Sequence, residues 1–233
     1  MIRRIHQSLK DFQGRLGTRY GSDISTPQAR RAAWWHFQLS DHAFLRGWWT
    51  NLREIAPGVY RSNQPSPARM TAMRKLGLRT ILNLRGQAGQ SFWLFERESA
   101  AAQGIVMIDL GMSAKRAPMA DALLTMLDLF RSMEKPVLIH CKSGADRTGL
   151  AAALYLIDVE GRPVAEAARQ LSWRTVHRSS GPTGILDHFL RVYGRAQSAT
   201  GISLRDWIET GYDPAELTAS YVRYQAKGKD GPW

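Results

Sequence analysis

A single cysteine, Cys141, is all that the 233-residue chain contains, which excludes an internal disulfide framework and a Cys-rich metal cage. Long apolar runs are missing too. The longest, Leu150 to Ile157, has eight residues, far short of the ~18 that a membrane-spanning helix needs. No segment repeats at solenoid periods and none is of low complexity. Acidic residues are scarce beside basic ones, 20 Asp+Glu against 32 Lys+Arg for a net charge of +12. That imbalance favours anionic partners such as phosphate esters, acidic headgroups or nucleic acid; a basic surface kept for solubility is the plain alternative. No His/Cys/carboxylate group has ligand spacing, so neither a metal nor a cofactor is expected. No nucleic-acid-binding motif accompanies the basic residues, and no nucleic-acid partner is expected. Met1-Ile2-Arg3-Arg4 starts with charge, but no apolar core of an export signal follows. The chain reads as cytoplasmic.

What is present is an ordinary globular composition, 44% hydrophobic and 22% charged, enough to bury a core. The pattern divides it into a basic, Trp-rich extension over 1–52, a main domain over 53–195, and a helical segment with a tail over 196–233. The extension holds four of the eight tryptophans, Trp34, Trp35, Trp48 and Trp49, and residues 1–46 carry a net +5. Pro27 opens a helix running to about Leu39. Such a helix suits peripheral contact with an anionic membrane surface, or else docks its tryptophans on the main domain.

From Ile55 onward strands and helices alternate. Val59–Ser62, Thr80–Leu84, Ile105–Leu110 and Val137–His140 read as strands. Pro67–Lys75, Ser91–Gln103, Met119–Met133, Arg147–Val159, Pro163–Leu171 and Gly184–Tyr193 read as helices, and Lys227 to Trp233 as a frayed tail. Short β-rich runs separated by helices predict an α/β architecture, a central, mainly parallel sheet flanked by helices.

Between the strand Val137–His140 and the next helix lies His140-Cys141-Lys142-Ser143-Gly144-Ala145-Asp146-Arg147-Thr148-Gly149. Five residues between Cys and Arg let the backbone curl so that its N–H groups converge on one centre. The helix N-terminus behind them adds positive potential, so a phosphate can be held by amides. The same field lowers a thiol pKa and makes Cys141 a nucleophile. Arg147 offers a planar fork to two phosphate oxygens. Gly144 and Gly149 permit the tight turn and a close approach of helix to sheet.

These ten residues resemble the signature of the cysteine-dependent phosphatase superfamily, His-Cys, five residues, Arg, Ser/Thr, Gly. Position in the chain and loop length resemble its dual-specificity group, over about residues 55–193. Val59-Tyr60-Arg61-Ser62-Asn63-Gln64-Pro65 and Leu78-Arg79-Thr80-Ile81-Leu82-Asn83-Leu84-Arg85 are similar to the opening of its atypical branch, which includes bacterial tyrosine-phosphatase-like proteins and fungal inositol-pyrophosphate phosphatases. The resemblance implies a phosphatase working through a cysteinyl-phosphate, with Cys141 as nucleophile and Arg147 as phosphate ligand. Lys142, Ser143, Gly144, Ala145 and Asp146 would complete the phosphate cradle. His140 would orient the loop, Thr148 would assist the departing sulfur, and Asn83 and Arg85 would brace the cradle from beside it. Lys142 resembles the loop of phosphoinositide phosphatases, while Ala145 replaces their second lysine. Phosphoproteins and small or lipid phosphates therefore all stand as substrates.

The general acid has three readings. Asp109, at the end of the strand before the loop Met112–Pro118, has the family's usual position; Asp146 is the second choice; a substrate that departs unaided is the third. Lys115 and Arg116 on that loop suit a highly anionic substrate. Arg174, His177 and Arg178 are candidates to line the site. A phosphate-binding module without turnover is the alternative function.

Overall fold

The structure, a computed structural model, describes residues 20–226. The chain forms two compact units interleaved in sequence. One comprises the stretch up to Thr50 with Pro65–Leu78 and Gln87–Met107; the other comprises Asn51–Gln64, Arg79–Gly86 and everything from Ile108.

In the first unit, helix α1 (Pro27–Trp35) starts where Thr26 accepts the Ala29 N–H and proline occupies the first turn. It gives way to a π-helical turn, His36–Ser40, rather than running on to Leu39 as one α-helix. Ala33, Phe37, Phe92, Trp93 and Phe95 form a small core, the last three supplied by α3 (Ser91–Ala102). Helix α2 (Pro67–Lys75), capped by Ser66, completes the unit. The tryptophans thus divide: Trp34 meets Phe37 and Phe95, both at ring-centroid distances of 5.7 Å, whereas Trp35 and Trp48 are exposed.

The chain's sheet has the order β1-β2-β5-β3-β4: β1 (Arg53–Ala56), β2 (Val59–Asn63), β3 (Thr80–Asn83), β4 (Val106–Asp109) and β5 (Val137–Cys141), all but the first two residues of β4 falling in the second unit. Strands β2 and β3 flank β5 in parallel, with Asn63 opposite Cys141 and Asn83 opposite His140. Strand β1, which the pattern did not indicate, adds antiparallel to β2. Its sequence REIA has one buried residue in four, so no alternation marks it. Helix α5 (Asp146–Asp158) follows β5 after the loop; every residue from Thr148 to Ile157 is buried, as fits a helix enclosed on all sides.

Around it stand α4 (Ala120–Ser132), whose Leu123, Met126, Leu127 and Phe130 recur at helical spacing, and α7 (Ile185–Thr200), longer than its pattern suggested. Helices α8 (Leu204–Thr210) and α9 (Pro214–Ala226) close the unit. The stretch Pro163–Leu171 is one α-turn, α6 (Val164–Ala167), running into a 3₁₀ turn. The expected tail, 227–233, and the basic residues before Tyr20 lie outside the described residues. Among the described residues no helix is long and apolar enough to cross a membrane.

Candidate active site

Parallel pairing on both sides ends β5 at Cys141, so the chain must turn at the C-terminal edge of the sheet, where open α/β sheets place their ligand crevices. The turn is tight because Gly144 permits it. Its φ is +71°, and a Cβ there would lie 2.5 Å from the Asn63 nitrogen and from the Ser62 carbonyl carbon. A side chain is excluded by both conformation and space. Gly149, one turn into α5, serves a different neighbour from the sheet expected for it: a Cβ would come within 2.6 Å of Leu171 and 2.9 Å of the Gln170 oxygen.

Cys141 is 1% exposed. Burial alone would push its thiol up. The Arg147 guanidinium, the Thr148 hydroxyl and N–H, and the Gly144 N–H outweigh that and hold it below the ordinary thiol value. Thr148 is wholly buried, and its hydroxyl has no nitrogen or oxygen partner, which leaves it to the sulfur. Arg147 spends one nitrogen, Nη1, on the carbonyls of Leu84 (3.1 Å) and Met112 (3.3 Å). Its Nε is buried without a partner, so one edge of the fork remains for two phosphate oxygens. His140 is fully buried, with Nδ1 3.3 Å from the Cys141 oxygen.

Asn83 accepts the Arg85 N–H at 2.9 Å and donates to Asp109 at 2.7 Å. Arg85 in turn donates to Gln64. Both lie at the sheet edge from which the loop springs. Asp109 is exposed, at the end of β4. Asp146 is placed quite differently. One of its oxygens lies 2.7 Å from His177 Nδ1, and an oxygen of Asp187 lies 2.7 Å from His177 Nε2. A neutral imidazole carries one N–H, so two carboxylate partners require the imidazolium. Burial pulls the pKa of His177 down, but the hydrogen bonds and charges of Asp146 and Asp187 prevail and raise it to about 9. Asp146 is therefore engaged with His177.

Of the other candidates, Lys142 and Ser143 are half-buried on the loop, Ala145 is buried, and Lys115 and Arg116 are exposed. From the cluster Arg174, His177, Arg178 only His177 reaches the loop; Arg174 offers its carbonyl to Arg53. Three residues to which the sequence reading gave no role also converge here: Asn51, Arg61 and Asp187. Asn51 donates to the carbonyls of Ser143 (3.4 Å), Gly144 (2.9 Å) and Thr175 (3.0 Å). A charge inside the strand-like run VYRSN and another inside the apolar run ILDHFL were the available signals for Arg61 and Asp187. Among the described residues no group of His, Cys, Asp and Glu could hold a metal ion.

A family model described as "DSP-PTPase phosphatase fused to NAD+ Kinase" matches residues 40–181, which takes in β1, the cradle and His177. The chain belongs to this DSP-PTPase family, within the cysteine-dependent dual-specificity phosphatases. Among similar proteins, this DSP-PTPase chain is 31% identical over 112 residues to the dual specificity protein phosphatase TpbA of Pseudomonas aeruginosa, a match covering 48% of each chain. It is 32% identical over 107 residues to the inositol diphosphatase DSP4 of Arabidopsis thaliana, covering 42% of this chain and 51% of the relative. The chain thus spans about half the length of these curated relatives. The crystal structure of P. aeruginosa TpbA shares the fold, with a TM-score of 0.51 at 22% identity over 74% of this chain and 91% of that one.

Proposed function

We propose that the chain hydrolyses phosphate monoesters through a cysteinyl-phosphate, with phosphotyrosine or an inositol phosphate as the substrate class. The observation that carries this reading is Cys141, its thiol held below the ordinary value at the base of a backbone cradle with the open edge of Arg147 beside it. The thiolate attacks phosphorus and the ester P–O bond breaks. The departing oxygen takes a proton from Asp109, which stands at the cradle's edge of the sheet while Asp146 is engaged with His177. Water then attacks the phosphocysteine, gives its proton to the Asp109 carboxylate and releases thiolate and phosphate. The relatives' names support both substrate classes, one being called a dual specificity protein phosphatase and the other an inositol diphosphatase. The test is hydrolysis of an aryl phosphate and of an inositol phosphate by the wild type and by Cys141→Ser. The variant should bind phosphate and turn nothing over; turnover near the wild-type rate would refute the assignment.

Within the first unit, Trp35, Leu39, Phe44, Leu45 and Trp48 are all at least half exposed, Trp48 at 93%. Together with the net charge of +12 they support peripheral contact with an anionic lipid surface. Co-sedimentation with anionic but not neutral vesicles, lost in Trp35→Ser/Trp48→Ser, is the corresponding test.

A further inference from the structure

Arg61 is the most deeply buried cation of the second unit, with no exposed surface, yet its hydrogen-bond partners are all neutral oxygens. Nη1 donates to the Gln170 carbonyl and side-chain oxygens, both at 2.7 Å. Nη2 donates to the carbonyls of Gly144 at 2.7 Å and Ala145 at 3.4 Å. A guanidinium buried without a carboxylate is expensive, so its retention here calls for a reason. Two features supply one.

The first is geometric. In a planar trans peptide the C=O and the following N–H point in opposite directions. Drawing the Gly144 carbonyl outward onto Arg61 turns the N–H group of Ala145 the other way, into the cradle, while the Ala145 carbonyl, 3.4 Å from Arg61, accepts the Gly149 N–H of the following helix at 3.0 Å. Asn51 does the same from its side for the Ser143 and Gly144 carbonyls, and the Gly144 N–H accordingly stabilises the Cys141 charge. The Ala145 N–H meets only the Ser143 hydroxyl, at 3.4 Å, a contact weak enough for a phosphate oxygen to replace.

The second feature is electrostatic. Burial pulls Arg61 down to about 10, and the charge on Cys141 pushes it back up, against a smaller opposing push from Arg53. Coulomb interaction is mutual, so what the thiolate does for the guanidinium the guanidinium does for the thiolate. The buried cation finds its counter-charge across the loop.

We propose that Arg61 is a positioning residue for the phosphatase reaction: a guanidinium fastened behind the phosphate loop that aims its amides inward and serves as partner to the Cys141 thiolate. This rests on the function proposed above and adds to it a residue outside the signature. The fork and the charge are separable. Arg61→Lys keeps the charge and loses the fork; Arg61→Gln loses both.

Because Cys141 is the sole cysteine, thiolate absorbance can be titrated as the difference between each chain and its Cys141→Ser counterpart, and phosphate affinity measured by calorimetry in the Cys141→Ser background. Arg61→Gln should raise the titration midpoint by about one pH unit and weaken phosphate binding ~10-fold, one such unit being a tenfold change. Arg61→Lys should leave the midpoint near that of the wild type and still weaken phosphate ~10-fold. A merely structural role would lower the melting temperature without moving the midpoint. Wild-type phosphate affinity in Arg61→Lys, or an unmoved midpoint in folded Arg61→Gln, overturns the proposal. Should Arg61→Gln not fold, the lysine variant decides alone. A wild-type chain that titrates like an ordinary thiol and turns over no phosphate ester instead refutes the phosphatase reading itself.

Discussion

Replacing Asp146 by asparagine separates a structural carboxylate from a catalytic one. His177 is held between Asp146 and Asp187, and its pKa is raised to about 9 from the ordinary ~6.5, a difference worth roughly 3 kcal/mol. Two carboxylates share that stabilisation, and the Asp146 side chain is 22% exposed, so water screens its part. Removing its charge should therefore destabilise the fold by about 1 kcal/mol. For a chain of this size that lowers Tm by roughly 2–4 °C. The sign of the pH dependence follows from the direction of the shift. A group whose folded pKa is raised contributes its full stability below the unfolded value, and the contribution fades as pH rises through the folded one. The Tm gap between wild type and Asp146→Asn should be full at pH 6, shrink between about pH 7 and 9, and vanish near pH 10. Differential scanning fluorimetry across that range reads it directly. Steady-state rates on aryl phosphates with good and poor leaving groups should fall by one common factor in this variant, because its carboxylate is engaged with the imidazolium. A gap undiminished at pH 10, or a rate loss that grows as the leaving group worsens, would refute the reasoning.

If Asp109 is the proton donor, Asp109→Asn should lose about 10²–10⁴-fold on poor leaving groups and much less on an activated aryl phosphate; a Brønsted plot checks this, and equal losses would remove Asp109 from the role. Gly144→Ala forces a side chain into the left-handed region and against the backbone of β2. It should destabilise by at least ~2 kcal/mol, a fall of roughly 4–8 °C in Tm, and abolish phosphate binding even in whatever fraction folds. Hydrogen peroxide should inactivate the enzyme in proportion to its thiolate fraction. Thiols should restore it only in part, since no second cysteine exists to trap the sulfenic acid as a disulfide; full recovery after long exposure would contradict this.

The cradle was legible in the sequence because its reactive groups and its tight turn lie within ten consecutive residues. A strand that ends in Cys141, a glycine at the one left-handed position and a helix that starts behind the loop are local properties, written in local residue choice. The alternation of strands and helices was legible for the same reason, through hydrophobic periodicity. Strand β1 escaped because a short edge strand with a single buried residue has no period to show.

What holds the cradle in shape is of another kind. Asn51 reaches Gly144 across 93 positions, Arg61 reaches it across 83, and His177 reaches Asp146 across 31. No local pattern specifies which partner a buried polar group finds; that depends on which strands pair and where the chain returns after α5. Asp146 shows the difference most plainly. Beside Arg147 in sequence it looks available as an acid, and only the tertiary structure, by bringing against it a buried histidine that Asp187 also holds, engages it. Sequence determined the chemistry that the loop can perform. The fold determined which neighbours those residues meet, Asp146 being engaged with His177, because the energy of a buried charge is set by neighbours that the chain order does not reveal.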